Sequence, residues 1–424
     1  MNDASPAAAP VVARHDTDAE AEFYALMQNP ANDDPYTGYR RLRELAPALI
    51  TGDGTVVVTG HAECDAALRH RSLGRGDDMD GFRLAPVPEE QVREVMSVLR
   101  RSMAFVDPPR HTRMRKPVSA VFTHRQVEAL RPAVTGHVDR LLTALAAEPE
   151  ADFMAAVAEP LPEIVIADLL GIPEADRAQV VPNSRALAAL MEPVTDAQVF
   201  ADAAAAQKEL CAYFAELLAL RRAHPQDDLL SRLGAAPEGT GLDDDEIVST
   251  ALLLLGAGIK TTTHLLGNGL RALLDHPEEL RRLREEPQMV PSAVQELLRY
   301  DTPAQLDARV ALEPVTFAGI ELKPGQTVMT VIGAANRDPA RFADPDRLDV
   351  ARTENGHLSY AAGVHFCLGA QLANLEAEVL LARLPVHCPD PAPAGPAVRR
   401  PGLGLRGYER LPVTAGGDTA TAGR

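Results

Sequence analysis

The 424-residue sequence predicts a mostly α-helical protein with a small β-sheet, folded as one continuous domain. Three observations predict this class. Apolar residues recur at helical spacing through most of the chain, β-branched runs are few and short, and Pro and Gly stand between periodic stretches instead of collecting in a linker. With 46% hydrophobic residues the chain can bury a large core. Residues 1–18, rich in Ala, Pro and Asp, read as a disordered arm and residues 415–424 as a flexible tail, leaving residues 19–414 as the domain.

Asp34-Pro35 opens a helix that carries Tyr36, Tyr39, Leu42 and Leu45, and Thr55-Val56-Val57-Val58-Thr59 follows as a strand. Residues 107–115, Asp-Pro-Pro-Arg-His-Thr-Arg-Met-Arg, lead into a helix that puts His111 and Arg115 on one face at i, i+4, where both reach one anion. Taken alone, the pair reads equally as an exposed basic helix. Arg113 and Lys116 point elsewhere, as a solvated face or as part of a docking patch for an acidic protein.

Asp243, Asp244, Asp245 and Glu246 mark the start of a helix over residues 243–275. Inside it, Gly256-Ala257-Gly258-Ile259-Lys260-Thr261-Thr262-Thr263 is locally unfavourable, since each Gly costs about 1 kcal/mol relative to Ala. A Thr261 hydroxyl bonded to the Ala257 carbonyl would bend the helix and open a groove for a small molecule. Glu296 and Arg299 stand at i, i+3, a pairing worth little on a surface. Val315-Thr316-Phe317, a Pro324-Gly325 turn and Thr327-Val328-Met329-Thr330-Val331 read as hairpin strands.

The stretch 360–373 carries the chemistry. Cys367 lies between Gly363 and Gly369, just ahead of a helix whose Leu368, Leu372, Leu375 and Val379 repeat until Pro385 stops the pattern. Free N–H groups and the positive end of the dipole at a helix start lower a thiol pKa. The two glycines free the backbone to turn sharply and to approach a planar cofactor closely. A buried, inert thiol fits the same residue. A half zinc site with His365 lacks a second ligand pair, because the chain has no Cys-x-x-Cys.

Composition narrows the classes further. A net charge of −18 argues against nucleic acid and against an anionic membrane surface. The sequence shows no apolar run of membrane length and no signal-peptide order near its start, and its four cysteines have no framework spacing. These features point to a soluble protein of the cytoplasm.

Gly363, His365, Cys367, Gly369, Leu372 and Ala373, in the pattern Gly-x-His-x-Cys-x-Gly-x-x-Leu-Ala, resemble the haem-binding loop of the cytochrome P450 superfamily, with Tyr360 where the family usually has Phe. The resemblance covers roughly residues 34–413. It implies the P450 fold, a triangular helical domain around a buried haem b, with Cys367 as axial thiolate and with Tyr360, Gly363, His365 and Gly369 around the cofactor. His111, Arg115 and Arg309 would bind the haem propionates. Glu296 and Arg299, completed by Arg347 of Asp344-Pro345-Asp346-Arg347, would lock the core near the haem loop.

Ala257, Gly258, Ile259, Lys260 and Thr261 resemble the family's oxygen-activation motif, Ala-Gly-x-acid-Thr, with Lys260 in the place of the acid. Three roles for Lys260 follow, ranked as an outward ion pair, a proton relay whose pKa burial depresses, and a contact to an acidic substrate. The implied activity is a soluble bacterial-type monooxygenase that inserts one oxygen atom from O2 into a specialised-metabolite scaffold such as a polyketide or terpene. Ferredoxin and an NAD(P)H-dependent ferredoxin reductase would supply electrons. The Lys260 departure keeps open a peroxide-driven or radical-coupling enzyme, and a non-catalytic haem-thiolate sensor is the alternative from another class; Thr261 favours the enzyme.

The resemblance places the substrate pocket among residues 73–104, 176–200, 302–308 and 402–405. Gly81 and Phe82 would belong to a mobile lid, and Leu187, Leu190, Met191, Pro193 and Val194 to a flap that reads equally as ordinary helix packing. Asp307 would orient a polar substrate group or pair with a neighbouring arginine. Ten Phe, seven Tyr and no Trp predict an aliphatic pocket.

Overall fold

Apolar periodicity becomes helix where a capping residue opens it. Asp34 accepts from the amides of Tyr36 and Thr37 to start Pro35–Leu45, and Asp243 with Glu246 forms a capping box at the head of the 32-residue helix Asp244–Asp275. The computed structural model describes residues 11–76, 87–191, 196–236, 241–402 and 404–416. Its largest apolar cluster gathers around the long helix Asp244–Asp275, which packs against Pro160–Leu170, Ala197–Ala223, Val290–Tyr300 and Ala370–His387. Among the described residues, no helix is long and apolar enough to cross a membrane.

The main sheet has five strands in the order Ala48–Ile50, Val56–Val58, Thr327–Val331, Leu306–Ala311 and Leu73–Gly74. It joins the early chain to the late chain, with Val57 opposite Met329 in a parallel pair and Arg309 opposite Val328 in an antiparallel one. The hairpin expected between Val315–Phe317 and Thr327–Val331 does not form. Val315–Phe317 turns back at once through Ala318 and Gly319, both at positive φ, to pair with Ile320–Leu322, whereas Thr327–Val331 takes Leu306–Ala311 as its neighbour. The boundary at residue 18 also moves. The Ala13 amide bonds the Ala318 carbonyl, Arg14 bridges to Leu49, and a helix begins at Thr17.

A mostly irregular run, residues 336–369, separates the short helix Ile332–Ala335 from Ala370–His387. Irregular backbone leaves donors and acceptors that must be satisfied when buried, and one ion pair does much of this. Glu296 and Arg299 are both 0% exposed, with Arg299 Nε 2.7 Å from Glu296 Oε2. Arg299 donates to the carbonyls of Asn336, Pro345 and Arg347. Glu296 accepts from the Asp349 amide, from Arg352 at 3.1 Å and from Asn355. The second arginine of the network is therefore Arg352 and not Arg347, which is exposed and offers its carbonyl instead. Both arginines lie in irregular chain, where no periodicity says which one turns inward.

Removing Arg299, as Arg299→Met, should cost about 3–5 kcal/mol, because the Glu296 charge is left buried without its partner. Arg347→Ala should stay within about 0.5 kcal/mol of wild type. Urea midpoints measure both, and equal losses would return Arg347 to the network.

Candidate active site

The Cys367 amide donates to the Tyr360 carbonyl at 2.9 Å and closes the loop between them. Gly363 makes that loop possible. Its φ is +70°, and a Cβ there would lie 2.6 Å from the carbonyl oxygen of Leu68 at the end of the helix His61–Arg69. Gly369 is the N-cap of Ala370–His387, and a Cβ on it would meet no atom within 4 Å. Cys367 thus stands two residues ahead of the N-cap, and Pro385 is carried inside a helix that ends at His387.

The thiol departs from the expectation for a helix start. Burial pushes its pKa up more than the amides of Gly369 and Ala370 and the charge of Arg115 pull it down. A helix N-terminus alone does not make this sulfur a thiolate; a coordinated metal deprotonates a thiol outright.

Cys367 opens on a cavity of about 260 Å³. Cys367, Leu368, Gly369 and Leu372 line it from the C-terminal side of the chain, and Leu253, Leu254, Ala257, Gly258, Thr261 and Thr262 from the long helix. Its lining is mostly aliphatic, as composition predicts. Arg75, Met103 and Ala104 from the first expected segment and Pro303 and Ala304 from the third contribute, whereas no described residue of 176–200 or 402–405 does. Gly81, Phe82, Pro193 and Val194 lie outside the described residues.

One part of the lining is polar and incomplete. His111 is 3% exposed with neither ring nitrogen hydrogen-bonded, and its ring lies 4.5 Å from that of His365. His365 Nε2, Arg75 Nε and Arg309 Nη2 are buried without a hydrogen-bond partner among the described residues, with His365 Nε2 3.6 Å from Asp107 Oδ1. Orphaned donors cost about 1–3 kcal/mol each, and the two carboxylates of a haem are the chemistry that would satisfy this set. Asp307 pairs with Arg75 at 2.9 Å and Arg309 at 2.8 Å. Burial disfavours its charge, yet those arginines overcome the penalty and hold it at about 2, so Asp307 answers to arginines and not to a substrate. Arg115 donates to the carbonyls of Val364 and Phe366 at 3.1 and 2.6 Å and clamps the cysteine loop. Arg113 is exposed, as on a solvated face, and pairs with Glu246 of the capping box.

Arg75 was not legible as a site residue. It follows the strand Leu73–Gly74, and only the pairing of Gly74 with Val310 brings it beside Arg309. Tyr360 keeps an aromatic ring at the loop, 6.2 Å from Phe366, and its hydroxyl donates to Asn374.

On the long helix the Thr261 hydroxyl donates to the Ala257 carbonyl at 2.8 Å, as the spacing predicts. Lys260 is half-buried and does not line the cavity. Burial depresses its pKa, and the charges of Glu159 and Glu163 oppose that. Those carboxylates are held by Arg185 at 3.4 and 2.6 Å, so the expected ion pair of Lys260 is not formed among the described residues. A step of one residue turns a helix by about 100°, which takes Lys260 off the wall that Thr261 occupies.

Residues 88–385 match the family model described as Cytochrome P450, and the chain belongs to that family of haem-thiolate monooxygenases. It is 38% identical to the cytochrome P450 monooxygenase PikC of Streptomyces venezuelae, over 90% of this chain and 91% of that one. It is 37% identical to 6-deoxyerythronolide B hydroxylase of Saccharopolyspora erythraea, over 91% and 96%. The solved structure of the bacillaene polyketide synthase cytochrome P450 PksS of Bacillus subtilis 168 superposes with a TM-score of 0.81 at 34% identity, covering 92% of this chain and 99% of that one.

If Arg75 and Arg309 hold the haem carboxylates, Arg75→Leu and Arg309→Leu should each release haem to apomyoglobin about 10–100-fold faster, the equivalent of a lost charge-assisted bond of about 1.5–3 kcal/mol. An unchanged rate removes that arginine from the cofactor site.

Proposed function

We propose that this chain is a monooxygenase of specialised metabolism that hydroxylates or epoxidises a polyketide-type macrolactone, with terpenes as the second scaffold class. The observation that carries the reading is the aliphatic cavity that brings Cys367 and Thr261 to one space. The name of the relative 6-deoxyerythronolide B hydroxylase supports the choice of scaffold. Cys367 would hold a haem, which would supply the activation of O2 and insertion of one of its atoms. The chain's own part is to exclude water with aliphatic walls, to keep the thiolate fixed by the loop that Arg115 clamps, and to orient a proton at the Thr261 hydroxyl. Electrons would reach the haem from NAD(P)H through a ferredoxin reductase and a ferredoxin, in the cytoplasm.

Titrating the ferric protein with 6-deoxyerythronolide B, hexadec-9-enoic acid and testosterone tests the scaffold by absorbance. A saturable low-spin to high-spin shift with the macrolactone is expected, and a shift confined to the fatty acid or the steroid would overturn the choice. Thr261→Ala should divert electrons from product to hydrogen peroxide, with product formation falling roughly 10-fold or more; unchanged coupling removes Thr261 from the mechanism, and full turnover from added peroxide alone would favour the peroxide-driven reading.

A further inference from the structure

A monooxygenase brings O2 to its haem while a substrate occupies the cavity above it, so a separate place for the gas has a use. A second empty space lies beside the cavity. It is a void of about 10 Å³ between the helices Asp244–Asp275, Val290–Tyr300 and Ala370–His387, with Leu266, Val294, Leu297, Ala377 and Leu380 in its wall. Phe153, fully buried, completes the lining from outside the three helices.

The void continues the cavity along the helices. Thr262, Leu265, Ala373 and Glu376 line the cavity, and the residues four further on, Leu266, Gly269, Ala377 and Leu380, line the void. On Val290–Tyr300 the order reverses, with Leu298 on the cavity and Val294 on the void. Four residues of helix rise about 6 Å, so the two spaces stand roughly one turn apart. Leu265 is the one described residue that lines both.

The walls select what the void can hold. A space of about 10–15 Å³ takes one water-sized molecule, but a buried water needs about two to four polar partners. No residue of the lining has a polar side chain. The helical backbone bonds within itself, and the Phe153 amide donates to the Leu411 carbonyl. Water therefore has nothing to bond, and an alkyl chain needs more room. A small apolar diatomic fits both the size and the dryness, and O2 is the one this reaction consumes. Gly269 keeps the space open, since a Cβ on it would lie 3.2 Å from Leu297 Cδ1, and both residues line the void.

We propose that this void is an O2 site, a holding place from which the gas enters the cavity past the side chain of Leu265. This rests on the monooxygenase reading. O2 is held there unchanged, through dispersion contacts alone, and reacts only at the haem. Leu265 is the gate between the two spaces.

Carbon monoxide, a diatomic of similar size, is the probe for the reduced, haem-loaded full chain. Photolysis of its adduct at low temperature, followed by infrared absorption, should give two bands of freed CO in wild type, one from each space. Ala377→Val and Gly269→Ala each add methyl groups at the void; each should lose the same one of these bands and slow O2 association with the reduced protein several-fold. Leu265→Ala, which removes the gate, should merge the two bands. Matching ferric absorbance spectra certify that haem is loaded. A single band in wild type would overturn the proposal, as would both bands and wild-type O2 association in either filled variant. A reduced protein that forms no CO adduct at all would overturn the haem site and the monooxygenase reading, and the O2 site with them.

Discussion

The pair formed by Glu296 and Arg299 is the constraint on which the rest of this structure depends. Two opposite charges with no exposure are expensive to bury, and they repay that only if every remaining donor and acceptor is used. Here they are used on backbone. Arg299 takes three carbonyls and Glu296 one amide, Arg352 and Asn355, all from the run between residues 336 and 355. A segment without regular hydrogen bonding is thereby held inside the protein. Asn336 passes the order on, accepting from the Leu358 amide and donating to Ser359, which bonds the Leu298 carbonyl back on the helix of the pair. Tyr360 and the cysteine loop follow directly.

From that anchored loop the cavity divides into two electrostatic regimes. At one edge, Arg75, Arg309, His111 and His365 face only the two carboxylates Asp107 and Asp307, and several of their nitrogens have no partner. Burial depresses the pKa of both histidines, so the two arginines and the two carboxylates balance, and it is the orphaned donors that the two carboxylates of a haem would satisfy. Elsewhere the wall is aliphatic, and burial there pushes the pKa of Glu376, on the helix Ala370–His387, up to about 8, with no ion pair to it among the described residues. The same low polarity raises the Cys367 thiol, so the sulfur depends on a metal for its charge.

Legibility in the sequence followed the range of the interaction. The helix start at Asp243, the Thr261 to Ala257 bond and the turn at Gly363 rest on residues close in the chain, and their spacing announced them, whereas the spacing of Glu296 and Arg299 announced a pair but not its full burial. Arg75 and Arg352 act across strand pairing or irregular loops, where no period survives. The strand Leu306–Ala311 hid for a related reason, since Asp307 and Arg309 interrupt its apolar pattern and face the charged edge of the cavity. Lys260 was legible as a departure, and it stands off the cavity wall as its first-ranked outward role requires, but without the ion pair expected of it among the described residues.

The chemistry of this cavity rests on the Cys367 sulfur. The most direct measurement is the absorbance of the reduced protein under carbon monoxide, for wild type and for Cys367→Ala. A Soret band shifted to the red, as a thiolate ligand to haem iron produces, and its loss in Cys367→Ala is the predicted result. A wild-type spectrum of the imidazole type, or a thiolate spectrum that survives in Cys367→Ala, would contradict the assignment of Cys367 and with it the cavity as the place where this enzyme works.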